Sequence, residues 1–151
     1  MKCTVVSSNM AESAVHQQPT CKERVTSHLR SRISDLRKLW KAEREGKEEG
    51  VEDLGTFNEY GLCFDYVAPG TFKGQRRGYF RYQLSYGGPS DEFRFYTGAE
   101  MELDRIEYWF LDWFDGAHRV LKGRDLELLT EIFSFFKDCG SCEAELRKAG
   151  E

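Results

Sequence analysis

The chain has 151 residues, of which 40% are hydrophobic, 14% aromatic and 32% charged, enough apolar material for one buried core beneath a polar exterior. Twenty-two Lys and Arg against 26 Asp and Glu give a formal net charge of -4, and a pI near 5.5 with a mean hydropathy of -0.63 argues against a generally basic nucleic-acid binder. No apolar run approaches the ~18 residues of a membrane-spanning helix, and an odd set of five cysteines points to a reducing cytoplasm rather than a disulfide scaffold.

In chain order, residues 1–21 carry Ser, Gln, Pro and Thr without apolar periodicity and read as a flexible leader. The short stretch Cys3 to Val6 is ended by Ser7 and Ser8, too soon for a signal-peptide core. A single α+β domain is expected over 22–137. Val25, Leu29, Ile33, Leu36 and Trp40 recur at helical spacing and predict a helix over 22–45, stopped by Gly46 and Gly50. Its polar surface is basic, with eight Lys or Arg against three acids between Lys22 and Arg44. Four strands follow, over 61–67, 78–86, 91–97 and 103–113, forming an antiparallel β-meander flanked by the N-terminal helix and by a C-terminal helix. Alternation of Phe80, Tyr82, Leu84 and Tyr86, then of Phe93 and Phe95, across the Gly87-Gly88-Pro89-Ser90 cluster predicts a hairpin with one buried face. Asp115-Gly116 is expected to end the apolar run from Arg105 to Phe114. Leu126, Leu129, Ile132, Phe133 and Phe136 predict the last helix, over 125–137, with Asp125 as N-cap or first-turn acid. Residues 138–151 are read as a tail.

Motifs for phosphate loops, dinucleotide binding, zinc proteases and serine hydrolases are missing, so no catalytic residue, cofactor or metal is assigned. Of three histidines, His118 reads as a solvated loop residue. Cys139-Gly140-Ser141-Cys142 has the spacing of a redox or metal pair, but Cys139 follows a helix C-terminus, where carbonyl dipoles disfavour a thiolate, and a second pair is lacking; incidental thiols are the expectation.

Charge distribution is more informative. Eight acids face two arginines between Asp91 and Asp115, and Asp91, Glu92, Glu100, Glu102 and Asp104, at or beside hairpin ends, are expected to reach solvent and to meet a basic partner surface. The competing candidate is nucleic-acid binding through Arg30, Arg37 and Lys41 on the first helix together with Lys73, Arg76 and Arg77 in the loop before the hairpin.

The blocks Tyr60 to Phe72 and Gly78 to Phe95, with Arg105 to Gly116 and the last helix, resemble a family of small uncharacterised proteins of proteobacterial plasmids, phages and integrative elements, over roughly residues 33 to 137. The basic Gln75-Arg76-Arg77 loop departs from the more acidic loop of that family. The resemblance carries no catalytic residue; it implies a bacterial host and an anti-defence context. The expected function is thus a non-enzymatic protein-interaction module of a mobile genetic element, an inhibitor of anti-CRISPR or anti-restriction type. It would bind a host or defence protein such as a CRISPR effector or restriction enzyme through the acidic, aromatic sheet face. Nucleic acid is the second-choice partner, no membrane is expected, and a homodimer stays open.

Overall fold

A computed structural model describes residues 19–150. The expected α+β class is observed, with five antiparallel strands in place of about four. Helix α1 (Cys21–Arg44) and the single turn α2 (Phe57–Tyr60) precede β1 (Cys63–Val67), β2 (Tyr79–Ser85), β3 (Ser90–Thr97), β4 (Leu103–Asp112) and β5 (Asp115–Val120). Helices α3 (Gly123–Asp138) and α4 (Ser141–Ala149) close the chain. The strands lie in sequence order, β1-β2-β3-β4-β5, a simple meander.

Helix α1 begins one residue earlier than its apolar stripe suggests because Thr20 and Glu23 form a capping box. The Glu23 amide donates to Thr20 Oγ1 at 3.3 Å, and the Thr20 amide donates to Glu23 Oε2 at 3.0 Å. Cys21, placed in the leader by composition, is a buried residue of the first turn; the rest of the expected leader, residues 1–18, lies outside the described residues.

Strand alternation sets the core. Phe80, Tyr82 and Leu84 on β2, Phe93 and Phe95 on β3, and Ile106, Tyr108 and Phe110 on β4 face the helices and are buried with Ile33, Leu36, Leu129, Ile132 and Phe133. Leu29, Phe64 and Phe136, also expected in the core, are half-buried and pack at its margin. Phe95 stacks on Phe133 of α3 with centroids 4.9 Å apart, and Phe64 on Phe136 at 4.1 Å.

Three expectations are corrected. Asp115-Gly116 does not end the sheet: the chain turns at Trp113-Phe114 and returns as β5, paired with β4 from Asp112↔Asp115 to Glu107↔Val120. Strand β5 lacks apolar alternation because it is an edge strand: exposed His118 and Val120 alternate with half-buried Ala117 and Arg119, which share the side of Asp115, toward α1. His118 is therefore a strand residue, its ring stacked on Trp109 at 4.5 Å. Residues 138–151 are not simply a tail either, since α4 packs on β1 and inserts Cys142 into the core.

Candidate functional site

The two faces of the sheet have different chemistry. On the helix-covered face, a register shift between Gln83 and Ser85 turns Ser85 toward the same side as Asp91. Asp91 precedes Phe93 and Phe95 by two and four residues, so it points inward with them, and it is 3% exposed. Arg32 of α1 meets it in a fork, Nε to Oδ2 at 2.6 Å and Nη2 to Oδ1 at 2.9 Å; Tyr108 donates to Oδ2 at 2.6 Å, and Ser85 donates to Oδ1. Burial alone would raise the pKa of this carboxyl, but the hydrogen bonds from Arg32, Ser85 and Tyr108 and the charge of Arg32 outweigh it and hold the pKa below the usual aspartate value. Arg32 also donates to Tyr60, which donates to Asp35. Burial, followed by the opposed pulls of Arg32 and Asp35, pushes the Tyr60 phenol up to about 12. Every acceptor oxygen of Asp91 has a donor, an arrangement that ties α1 to the sheet.

Glu92, on the opposite face, is equally buried and pairs with Arg94 at 2.7 Å. The expectation that Asp91 and Glu92 reach solvent is therefore corrected. The other three acids of the proposed contact surface, Glu100, Glu102 and Asp104, are exposed at the β3–β4 turn. Glu102 folds back to accept from the Glu100 amide at 2.8 Å, and Asp104 pairs with Arg77 at 2.6 Å. The five acids thus occupy three places: the helix-covered face, the open face and one turn.

Of the basic set, Arg30, Arg37 and Lys41 lie exposed on α1, with Arg37 bound to Asp125 at 3.0 Å. Lys73, Arg76 and Arg77 belong to the β1–β2 loop, which lies against the uncovered face of the sheet. That loop and the sheet enclose a hollow of about 520 Å3. Its floor is built from arginines laid on aromatic rings: Arg94 sits over Trp109 at 4.0 Å and over Tyr79 at 4.7 Å, while Arg77 and Arg105 lie 5.4 and 5.5 Å from the Tyr96 ring. The basic helix and the basic loop therefore stand on opposite sides of the sheet and form no common surface.

A second feature lies at one end of the sheet, where β2 and β4 end and β1, β3 and β5 begin. Trp113 and Phe114 are 88% and 104% exposed, and Tyr86, expected on the buried face with Leu84, instead lies past the end of β2 in the β2–β3 turn and is 82% exposed. Leu62, just before β1, is exposed at the same end. Trp113 adopts φ 55°, a region side chains larger than glycine rarely occupy. Both flanks of this turn are tied to α1: Asp112 pairs with Arg24 at 2.7 Å, and Asp115 Oδ2 accepts the Cys21 amide at 2.8 Å. That backbone bond, ahead of the other contacts, holds the Asp115 carboxyl below its usual range. The two aromatics are consequently presented from a fixed support. The apolar run from Arg105 to Phe114 is read from sequence as a strand throughout; the paired aspartates around Trp113-Phe114 are the signal that its end is a turn.

Among the described residues no group of three or more His, Cys, Asp or Glu has metal-binding geometry. Cys139 caps α3 in an exposed position, whereas Cys142 is buried, and burial pushes its thiol up to about 12. The pair is accordingly poorly matched for disulfide exchange, which needs an accessible thiolate. Alkylation of the native protein at pH 8, mapped by mass spectrometry, should label Cys139 well ahead of Cys142; equal labelling would show that α4 opens readily.

No helix among the described residues is long and apolar enough to cross a membrane. The site and fold define an α+β meander with one helix-covered face and one open, arginine- and aromatic-rich face. The chain matches no protein-family model, no curated protein and no solved structure.

Proposed function

We propose that this protein is a non-enzymatic interaction module of a mobile genetic element, and that it binds and inhibits a host defence or nucleic-acid-handling protein. The contact surface we assign is the aromatic end of the sheet. What carries the reading is the turn Trp113-Phe114, two large rings fully in solvent on a backbone clamped at both flanks to α1. Exposing such side chains brings no folding benefit, and large aromatics in fixed positions are the residues that dominate binding energy when a partner pocket desolvates them. Tyr86 and Leu62 extend the surface across the neighbouring strands. The anti-defence context rests on the resemblance of the Tyr60 to Phe95 blocks to proteins of mobile elements. Glu100, Glu102 and Asp104, at the other end of β3 and β4, take at most a steering role, because charges outside the buried contact mainly affect the association rate.

The test compares the wild-type chain with W113A/F114A, each immobilised and exposed to a bacterial lysate containing CRISPR effectors or restriction enzymes, with nuclease inhibition as the second readout. The double variant should keep its thermal midpoint, since neither ring is packed, and should lose about thirtyfold or more in affinity if the pair forms a binding hot spot. A double variant that inhibits as well as wild type, or a wild-type chain that inhibits none of these nucleases, would overturn the proposal.

A further inference from the structure

We infer that the hollow on the open sheet face is a binding site for single-stranded nucleic acid, with phosphates on Lys73 and Arg76 and a base on Phe72. It is separate from the aromatic end of the sheet. The cations of the hollow fall into two groups, those matched by a carboxylate and those that are not. Arg77, Arg94 and Arg105 each have a carboxylate partner, Asp104, Glu92 and Glu107 respectively, so their charges are balanced within the fold. They also sit over the rings of Tyr96, Tyr79 and Trp109, and therefore serve as the floor of the hollow. Lys73 and Arg76, at the rim, have no carboxylate partner among the described residues.

Two unbalanced cations in a protein of net charge -4 mark a place where an anion is attracted locally. Beside them Phe72 is 52% exposed, and neither a ring nor a guanidinium covers it among the described contacts. The hydroxyl of the buried Tyr79, which lines the same hollow, makes no hydrogen bond. The volume of about 520 Å3 lies within the range of small-ligand sites and admits a nucleotide-sized group. A free aromatic face next to unpaired cations matches a ligand that alternates planar bases with phosphates, and single strands offer both groups, whereas a duplex keeps its bases stacked. An acidic protein segment would satisfy the cations but leave Phe72 unused.

The experiment is a fluorescence-anisotropy titration of a labelled oligothymidylate of about 12 nucleotides with the full chain. Saturable binding is expected, and raising salt from about 50 to about 200 mM should weaken it by roughly sevenfold if two phosphates are held, because each releases condensed counterions. K73E/R76E should abolish the signal, and F72A should weaken binding by about fivefold or more. R30E/R37E/K41E, on the far side of the sheet, should bind as wild type; circular dichroism checks that all variants fold. The assignment is overturned if no binding appears at the lower salt, if K73E/R76E or F72A binds as wild type, or if polyglutamate or duplex DNA displaces the strand as well as unlabelled oligothymidylate does.

Discussion

Replacing Arg32 by alanine is expected to destabilise the fold by about 3–5 kcal/mol, read as a lower urea midpoint at pH 7. The size follows from what remains behind: Asp91 is buried, and its fork from Arg32 at 2.6 and 2.9 Å is the one cationic contact it makes among the described residues. Tyr108 and Ser85 still donate to the carboxylate, yet two neutral donors do not replace a full opposite charge in a site shielded from water. The double variant R32A/D91N should be less destabilised than the sum of the single variants, because the second substitution removes the charge stranded by the first. A midpoint for R32A within about 1 kcal/mol of wild type would show that the carboxylate finds water or simply takes up a proton.

The same contacts give stability a defined pH dependence. The pKa of Asp91 is lower in the folded protein than its unfolded value of 3.8, so the folded state favours the ionised form. The resulting stabilisation is fully present above the unfolded pKa and is lost as pH falls through the folded one. Between neutral pH and the range below 3.8, D91N should therefore show a flatter loss of stability than wild type, measured by thermal midpoints on acidification. Equal acid limbs in the two proteins would assign the acid sensitivity to other carboxylates.

Asp91 also shows where sequence reading succeeds and where it stops. Its parity with Phe93 and Phe95 was available and indicates an inward side chain; the composition of its neighbourhood, rich in acids, suggests the opposite. Parity prevails because a partner exists, and that partner, Arg32, is 59 residues away on a helix whose basic surface looks uniformly solvated in one dimension. Glu92 and Glu107 are hidden on a face with no helix over it, since arginines spread on aromatic rings do the covering. Such cross-strand matching depends on register, including the shift between Gln83 and Ser85, which no local pattern announces. By contrast, the alternation of Phe80 and Tyr82 and the stripe of Val25, Ile33 and Leu36 suffice to place the core, because burying those faces requires the same pairing whatever the loops do. The Lys73 to Arg77 loop is visible as a basic cluster, but its position over Arg94, Tyr96 and Trp109 emerges only when the strands are laid side by side.

Phe95→Ala should likewise cost about 3–5 kcal/mol. Phe95 is fully buried at the centre of β3, paired with Phe80 on one side and Ile106 on the other, and its ring stacks on Phe133 of α3. Removing it deletes apolar burial and opens a void where the sheet carries the last long helix, and strands fixed on both sides cannot close in to fill it. Since an ordinary domain has about 5–15 kcal/mol of stability in total, a loss of this size would leave a detectable unfolded population in the weaker cases. The contrast with W113A/F114A separates the two uses of aromatic residues in this chain: one packed ring whose loss lowers the urea midpoint, and two exposed rings whose loss leaves it in place. A small shift for F95A, alongside a large one for W113A/F114A, would reverse that assignment and place the load-carrying contact at the turn instead of between β3 and α3.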